Sequence, residues 1–171
     1  HVDTEKSIKE SGLTYTIFKN NSCMEVFLVF FGDKVLEQGI YFPAGNTKAG
    51  YVLRTDMAEA MANVLMTQGH SNKTYNINHT QNVSISEVAE TLSELAGKTI
   101  NYHSPSTEEY INTLTQAGVP TPYIHMFAGF AEAIKQGEFE TTHTDLETLL
   151  GRKPTSLKEF LRQTYFAKTV A

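Results

Sequence analysis

One cysteine, five prolines and no tryptophan among 171 residues remove several classes of protein at the outset. Cys23 has no second thiol to pair with, so an intrachain disulfide and a thiolate cage for a metal are both out of reach. The six histidines, at positions 1, 70, 79, 103, 125 and 143, never fall in an i, i+4 pair, the spacing that puts two imidazoles on one helix face. No metal is expected. The longest apolar run, Val26 to Phe31, is far below the roughly 20 residues needed to cross a bilayer, and no leader pattern opens the chain. Basic charge is scarce as well: 14 Lys and Arg against 19 Asp and Glu leave a net charge of −5. The basic residues are scattered, not gathered into a stripe, which argues against nucleic acid as a partner. These absences point to a cytoplasmic globular protein with one domain's length of chain.

A further absence concerns glycine. No close-set glycines follow a strand and open a helix, the arrangement that lets main chain approach a pyrophosphate. Gly45-Asn46-Thr47-Lys48-Ala49-Gly50 has the two glycines of a Walker loop, but Tyr51 and Val52 stand where Lys and Ser or Thr are required. Phosphate binding by that route is excluded. Cys23 reads as a small buried hydrophobe; the alternative is a nucleophilic Cys–His pair, whose members need not be neighbours in sequence.

What is present is an alternation of helices and short strands, an α/β pattern with few strands and mostly helices. Val2, Glu5 and Ile8 recur at spacing three, so the chain starts within a helix, which Gly12 closes. His1 is not an initiator methionine, and the chain is expected to begin inside a larger structure. Leu13 to Phe18 reads as a strand of β-branched and aromatic residues. Met24 to Gln38 carries apolar residues at helix spacing, and Gly39 to Pro43 and Tyr51 to Leu53 read as short strands. Thr55-Asp56 caps a helix with Met57, Met61, Val64 and Leu65 on one face. Thr74 to Asn78 is another strand. Ser84 and Glu87 have capping-box spacing ahead of Ile85, Val88, Ala89, Leu92 and Leu95. Ser106 to Ala117, Pro122 to Gln136 and a short segment opened by Thr144 to Glu147 follow as helices. Pro154 breaks the chain before a last helix with Leu157, Phe160, Leu161 and Tyr165.

One ordered set of residues carries more. His1-x-x-Thr4-Glu5-Lys6, Ser11 to Ile17, Lys19-Asn20, Glu25, Gly45, Arg54-x-Asp56-x-Ala58-Glu59-Ala60, Gly69-His70 and Gly151-Arg152-x-Pro154-Thr155 span the whole chain. In that order they resemble the NmrA-like atypical short-chain dehydrogenases/reductases, nearest to the NAD(P)H:quinone oxidoreductases of that group. The resemblance implies the carboxy-terminal part of an NAD(P)-binding Rossmann-type fold whose glycine-rich amino-terminal half is absent here. Residues 1–83 would then complete the Rossmann-type domain, with a cofactor-facing loop at 19–26, and 84–171 would form a mainly helical region for substrate or partner.

The same resemblance assigns roles. Asn20, Asn21, Ser22, Cys23, Met24 and Glu25 would lie beside the nicotinamide ring of NADP or NAD, outside the carboxyl end of a strand where ligands of open parallel sheets collect. In the wider superfamily a Tyr and a Lys four residues later hold the ribose, with a Glu four residues beyond; Glu5 fits the last place and His1 the Lys place. A neutral imidazole there can bond a ribose hydroxyl or pass a proton, which makes His1 the catalytic candidate. Arg54 would reach the cofactor or a carboxylate, an ion pair being the better match to its fork. Asp56 reads as a cap and Glu59 as a solvated or paired residue. Phe27, Phe31, Tyr110, Tyr123, Met126 and Phe127 are candidates to line an apolar pocket for a quinone-like acceptor, although aromatic stripes at such spacing usually fill cores.

Where the family reads Arg-Asn-Gly, then aromatics, then Glu-Asn, this chain reads Lys19-Asn20-Asn21-Ser22-Cys23-Met24-Glu25-Val26. The exchange removes a permissive glycine and flat ring surface. Two functions follow: a reductase passing hydride from reduced nicotinamide to a quinone-like acceptor, with these residues inactive by themselves, or a nicotinamide-binding sensor without turnover.

Overall fold

Parallel pairing of two five-residue strands organises the amino-terminal half of the computed structural model, which describes residues 2–167. Helix α1 (Val2–Glu10) leads through Gly12, at φ +76°, to β1 (Thr16–Asn20). β1 lies beside β3 (Lys73–Ile77), with Thr16 opposite Lys73 and Asn20 opposite Ile77. A second parallel couple joins β2 (Ile40–Tyr41) to β4 (Tyr102–His103). Parallel partners cannot be linked by a hairpin, so long crossovers separate them. Between β1 and β3 come α2 (Val26–Phe31), α3 (Val35–Gln38), β2 and α4 (Arg54–Met66). After β3 come α5 (Ile85–Ala96), β4, α6 (Thr107–Gln116), α7 (Thr121–Lys135), α8 (Leu146–Leu150) and α9 (Leu157–Tyr165).

Caps explain where several of these helices start. Ser84 and Glu87 form the full reciprocal box at α5, and the side chains of Ser106 and Ser156 accept the N–H groups of Glu109 and Glu159 at α6 and α9. Each such bond engages one of the orphan donors of a helix's first turn.

Three expectations shift. The helix proposed from Met24 to Gln38 is two helices, because Gly32 at φ +72° ends α2 and a turn through Asp33 and Lys34 restarts the chain as α3. Phe27 and Val35, on either side of the break, both reach 0% exposure. The first strand begins at Thr16, not Leu13, since its length is set by the partner strand and Leu13 stays 72% exposed. Tyr51 to Leu53 makes only an isolated parallel bridge, Val52 to Cys23. On α4, Met57 and Val64 are buried as expected, but Asp56 and Ala60 complete the inner face and Leu65 points outward.

Two apolar clusters result. The larger joins Phe27, Phe42 and Tyr51 to Leu92, Ile134 and Leu161, so residues before and after position 83 share one core. The smaller gathers Val52, Met57, Ala60, Ile77, Leu146 and Leu150, with Phe18 and Cys23 against it. The strand edges differ as well. The outer edge of β3 is covered: the Asp145 N–H donates to the Asn76 carbonyl at 2.9 Å, and the Asn76 N–H donates to the Asp145 carboxylate at 2.8 Å. The opposite edge of β1 has no such cover among the described residues. Beside it, Val2, Ile8, Ile17 and Phe18 line a cleft of about 560 Å³ between α1 and β1.

Candidate functional site

At the carboxyl end of β1 the chain turns into the segment Asn20 to Glu25, and neighbouring groups hold nearly every residue of it. The Asn21 N–H donates to the Ile77 carbonyl at 3.0 Å, carrying the ladder one step beyond the strand. Its side chain accepts the Ser22 N–H at 2.7 Å and donates to the Phe139 carbonyl at 3.0 Å. Val52 then clamps the turn from the other side, donating to the Ser22 carbonyl and accepting from Met24, both at 3.0 Å. Gly50 makes this approach possible. A Cβ there would stand 3.0 Å from the Asn82 side-chain oxygen and 3.3 Å from the Asn21 side-chain nitrogen, closer than ordinary contact.

The loop ends on a helix. The Glu25 carboxylate accepts the Arg54 N–H at 3.0 and 3.3 Å, so it caps the first turn of α4 from a distant part of the chain. The Arg54 guanidinium donates to the Cys23 sulfur at 3.3 Å. That contact first, then the nearby Glu25 charge, pushes the Arg54 pKa up. Among the described residues the expected ion pair of Arg54 is not made: its fork reaches sulfur, and Glu25 takes its main chain.

Asp56 is also not a cap. α4 begins at Arg54 with Leu53 at the capping position, and Asp56 lies within the first turn at 1% exposure. Its carboxylate accepts from Arg152 at 2.8 Å and from the Thr155 N–H at 2.6 Å. Arg152 also bonds Glu59, and these two carboxylates raise its pKa. The ion-pairing arginine of this region is thus Arg152, a residue noted in the sequence only as part of the resemblance. Next to Asp56, burial pushes the His79 pKa down, opposed by the Thr155 main chain and the Asp56 charge.

A nicotinamide nucleotide presents a carboxamide, a ribose and a pyrophosphate, and the residues here suit these unequally. Asn20 is exposed at the end of β1, and the buried Ser22 hydroxyl has no partner, so hydrogen-bonding capacity is left over at the loop. Cys23 is partly exposed, while Met24 is in the core at 2% exposure. These groups fit the uncharged nicotinamide end. The pyrophosphate finds no matching cradle in the Gly45 to Gly50 loop, where the N–H groups of Gly45, Ala49 and Gly50 are engaged by Ser104, Val83 and Phe139. His1 lies outside the described residues.

Among the acceptor candidates, Phe27 and Tyr110 are core residues at 0% and 2% exposure, and burial lifts the Tyr110 hydroxyl to about 12. Phe31 is partly buried and stacks on Phe27. Tyr123 and Met126 remain exposed, and Phe127 is partly buried. Phe127 meets Phe30 edge-on with ring centres 5.7 Å apart, and Phe130 lies 5.4 Å from the same ring. Phe30, which the sequence did not single out, joins α2 to α7 here. Among the described residues no three or more His, Cys, Asp or Glu side chains converge as a metal site, and no helix is long and apolar enough to cross a membrane.

No family model matches the chain. Individual proteins do. Over 161 residues it is 30% identical to quinone oxidoreductase 2 of Escherichia coli (strain K12), covering 93% of this chain and 56% of that protein. It is 22% identical over 166 residues to an NmrA-like family domain-containing oxidoreductase of Aspergillus flavus, covering 95% of this chain and 54% of the relative. The structure superposes on the triphenylmethane reductase of Citrobacter sp. complexed with NADP(H), with a TM-score of 0.86 and 35% identity, over 95% of this chain and 57% of the other. The chain thus spans little more than half of each, and it matches the carboxy-terminal part of such NAD(P)-binding, Rossmann-like reductases.

Proposed function

This chain is homologous to the NmrA-like and quinone oxidoreductase 2-type oxidoreductases, and from that premise we propose that it forms the nicotinamide-facing and acceptor-binding part of an NAD(P)H-dependent oxidoreductase acting on a quinone-like acceptor. The observation that carries this reading is the loop Asn20 to Glu25, fixed at the carboxyl end of a parallel strand by Val52, Gly50 and Arg54, where ligands of such sheets bind. When bound, the reduced nicotinamide supplies the hydride, and the task of the protein is orientation and exclusion of water. Asn20 and Ser22 offer hydrogen bonds to the carboxamide and ribose. Met24 and Phe27 anchor the end of the loop in the larger apolar cluster. Phe30, Tyr123 and Phe127 offer flat rings, and Met126 an adaptable apolar side chain, to a planar acceptor.

The pyrophosphate grip belongs, in this reading, to a nucleotide-binding half that seats a further parallel strand on the open edge of β1 and covers the cleft beside α1. Equilibrium dialysis of NADPH against these 171 residues tests the division of labour. Binding weaker than micromolar, with no consumption of NADPH when a quinone is added, is expected; a micromolar site, worth about −8 kcal/mol, contradicts it.

One observation favours a second reading, a nicotinamide-binding sensor without turnover. The loop Asn20 to Glu25 holds no aromatic residue, so it lacks the flat rings that would stack on an acceptor. A protein joining this chain to a nucleotide-binding half separates the two readings. Consumption of NADPH on adding quinone supports the reductase, and binding without consumption supports the sensor.

A further inference from the structure

Two stretches that the cofactor reading leaves without a role, Asp56 to Glu59 and Arg152 to Thr155, meet across 96 positions of sequence at the Arg152–Asp56 pair. An enclosed carboxylate is costly unless its oxygens are met by donors. Asp56 is met by three: the Arg152 guanidinium at 2.8 Å, the Thr155 N–H at 2.6 Å and the Thr155 hydroxyl at 3.3 Å. The amino-terminal end of α4 faces two ways. Asp56 and Glu59 hold the segment 152–155, while Arg54 holds the loop, through its N–H on Glu25 and its guanidinium on Cys23. Behind it lies the smaller apolar cluster, in which Met57 and Ala60 of α4 pack with Leu146 and Leu150 of α8 while Cys23 rests against the cluster.

We infer that Asp56 and Arg152 are positioning residues for the loop Asn20 to Glu25. They fix the first turn of α4 against the chain after α8, and that turn fixes the loop. The inference rests on the proposed function only for its meaning, since the loop matters to catalysis if it faces nicotinamide. A clamp that contributed global stability alone would affect the whole molecule evenly. A positioning clamp acts on the loop first.

Amide exchange of the 171-residue chain distinguishes these. In Asp56→Asn and Arg152→Met the Met24 and Arg54 amides, bonded to Val52 and Glu25, are expected to exchange about tenfold faster, the effect of losing roughly one charge-assisted hydrogen bond's contribution to local closure. The amides of Val88, Ala89 and Leu92 in α5, whose side chains lie in the larger cluster, are expected to be accelerated less. Arg152→Lys, which retains one charged donor for Asp56 but not the fork, should fall between wild type and Arg152→Met. Should Asp56→Asn not fold, the two Arg152 variants carry the comparison, because that side chain is 44% exposed. Equal acceleration in α5, or unchanged Met24 and Arg54 amides, overturns the inference. Adding reduced nicotinamide mononucleotide to the same samples reads the other claim separately: coupled exchange without a nucleotide response would leave the clamp standing and remove the cofactor reading.

Discussion

The larger apolar cluster is closed by rings and aliphatic side chains, with Phe27 against Tyr51 at 4.6 Å between ring centres and Phe30 stacked on Phe42 at 4.7 Å. The smaller one, around Val52, Met57, Ile77 and Leu146, has a buried carboxylate, an arginine fork and a buried histidine at its border. Apolar contact suffices to hold the fold, but contact alone is not directional. Hydrogen bonds and ion pairs are, and several converge where the loop after β1 has to be placed. The comparison teaches that stability and placement are supplied by different parts of one chain.

Phe27→Ala should have the largest effect and break the first region. Its side chain is fully enclosed, and removal is expected to cost about 4 kcal/mol in denaturant unfolding. Asp56→Ala attacks the second region. Leaving the Thr155 N–H without its acceptor is expected to cost about 1 kcal/mol in the same measurement, because Arg152 is 44% exposed and keeps Glu59. The sharper contrast is local, since Asp56→Ala should also loosen Cys23, which would be read as faster alkylation by iodoacetamide under native conditions. Phe27→Ala should speed that reaction only in step with global unfolding.

The smallest effect is a slope with pH. Burial holds the His79 pKa below 6.5 in the folded chain, while the unfolded chain takes up the proton near the ordinary value of about 6.5. The stability tied to neutral His79 is therefore whole above that pH and declines as pH falls from it toward the lower folded value. Urea melts across this window should show the decline, and His79→Gln should flatten it.

The fold was readable where signals are local. Ser84 with Glu87, Ser106 with Glu109, and Gly12 mark helix ends by bonds that close within a few residues, and the structure places those ends there. The spacing predicts one helix through Gly32 because apolar periodicity persists across the break, while the chain turns where Gly32 takes φ +72°. The site was readable in its place along the chain, at the end of β1. Its supports were not: Gly50 against Asn21 and Asn82, Glu25 on Arg54, and Asp56 on Arg152 are contacts between distant positions. A buried aspartate and a helix-capping aspartate look alike in sequence, since both stand near a helix start. What separates them is an arginine that arrives 96 residues later.

The central claim concerns the loop itself, and a ligand that needs no pyrophosphate grip tests it most directly. Amide spectra of the chain titrated with reduced nicotinamide mononucleotide should show shifts confined to Asn20 to Glu25 and Arg54, saturating at roughly millimolar concentration, about −4 kcal/mol. Shifts located elsewhere, or none at saturating nucleotide, would contradict the account.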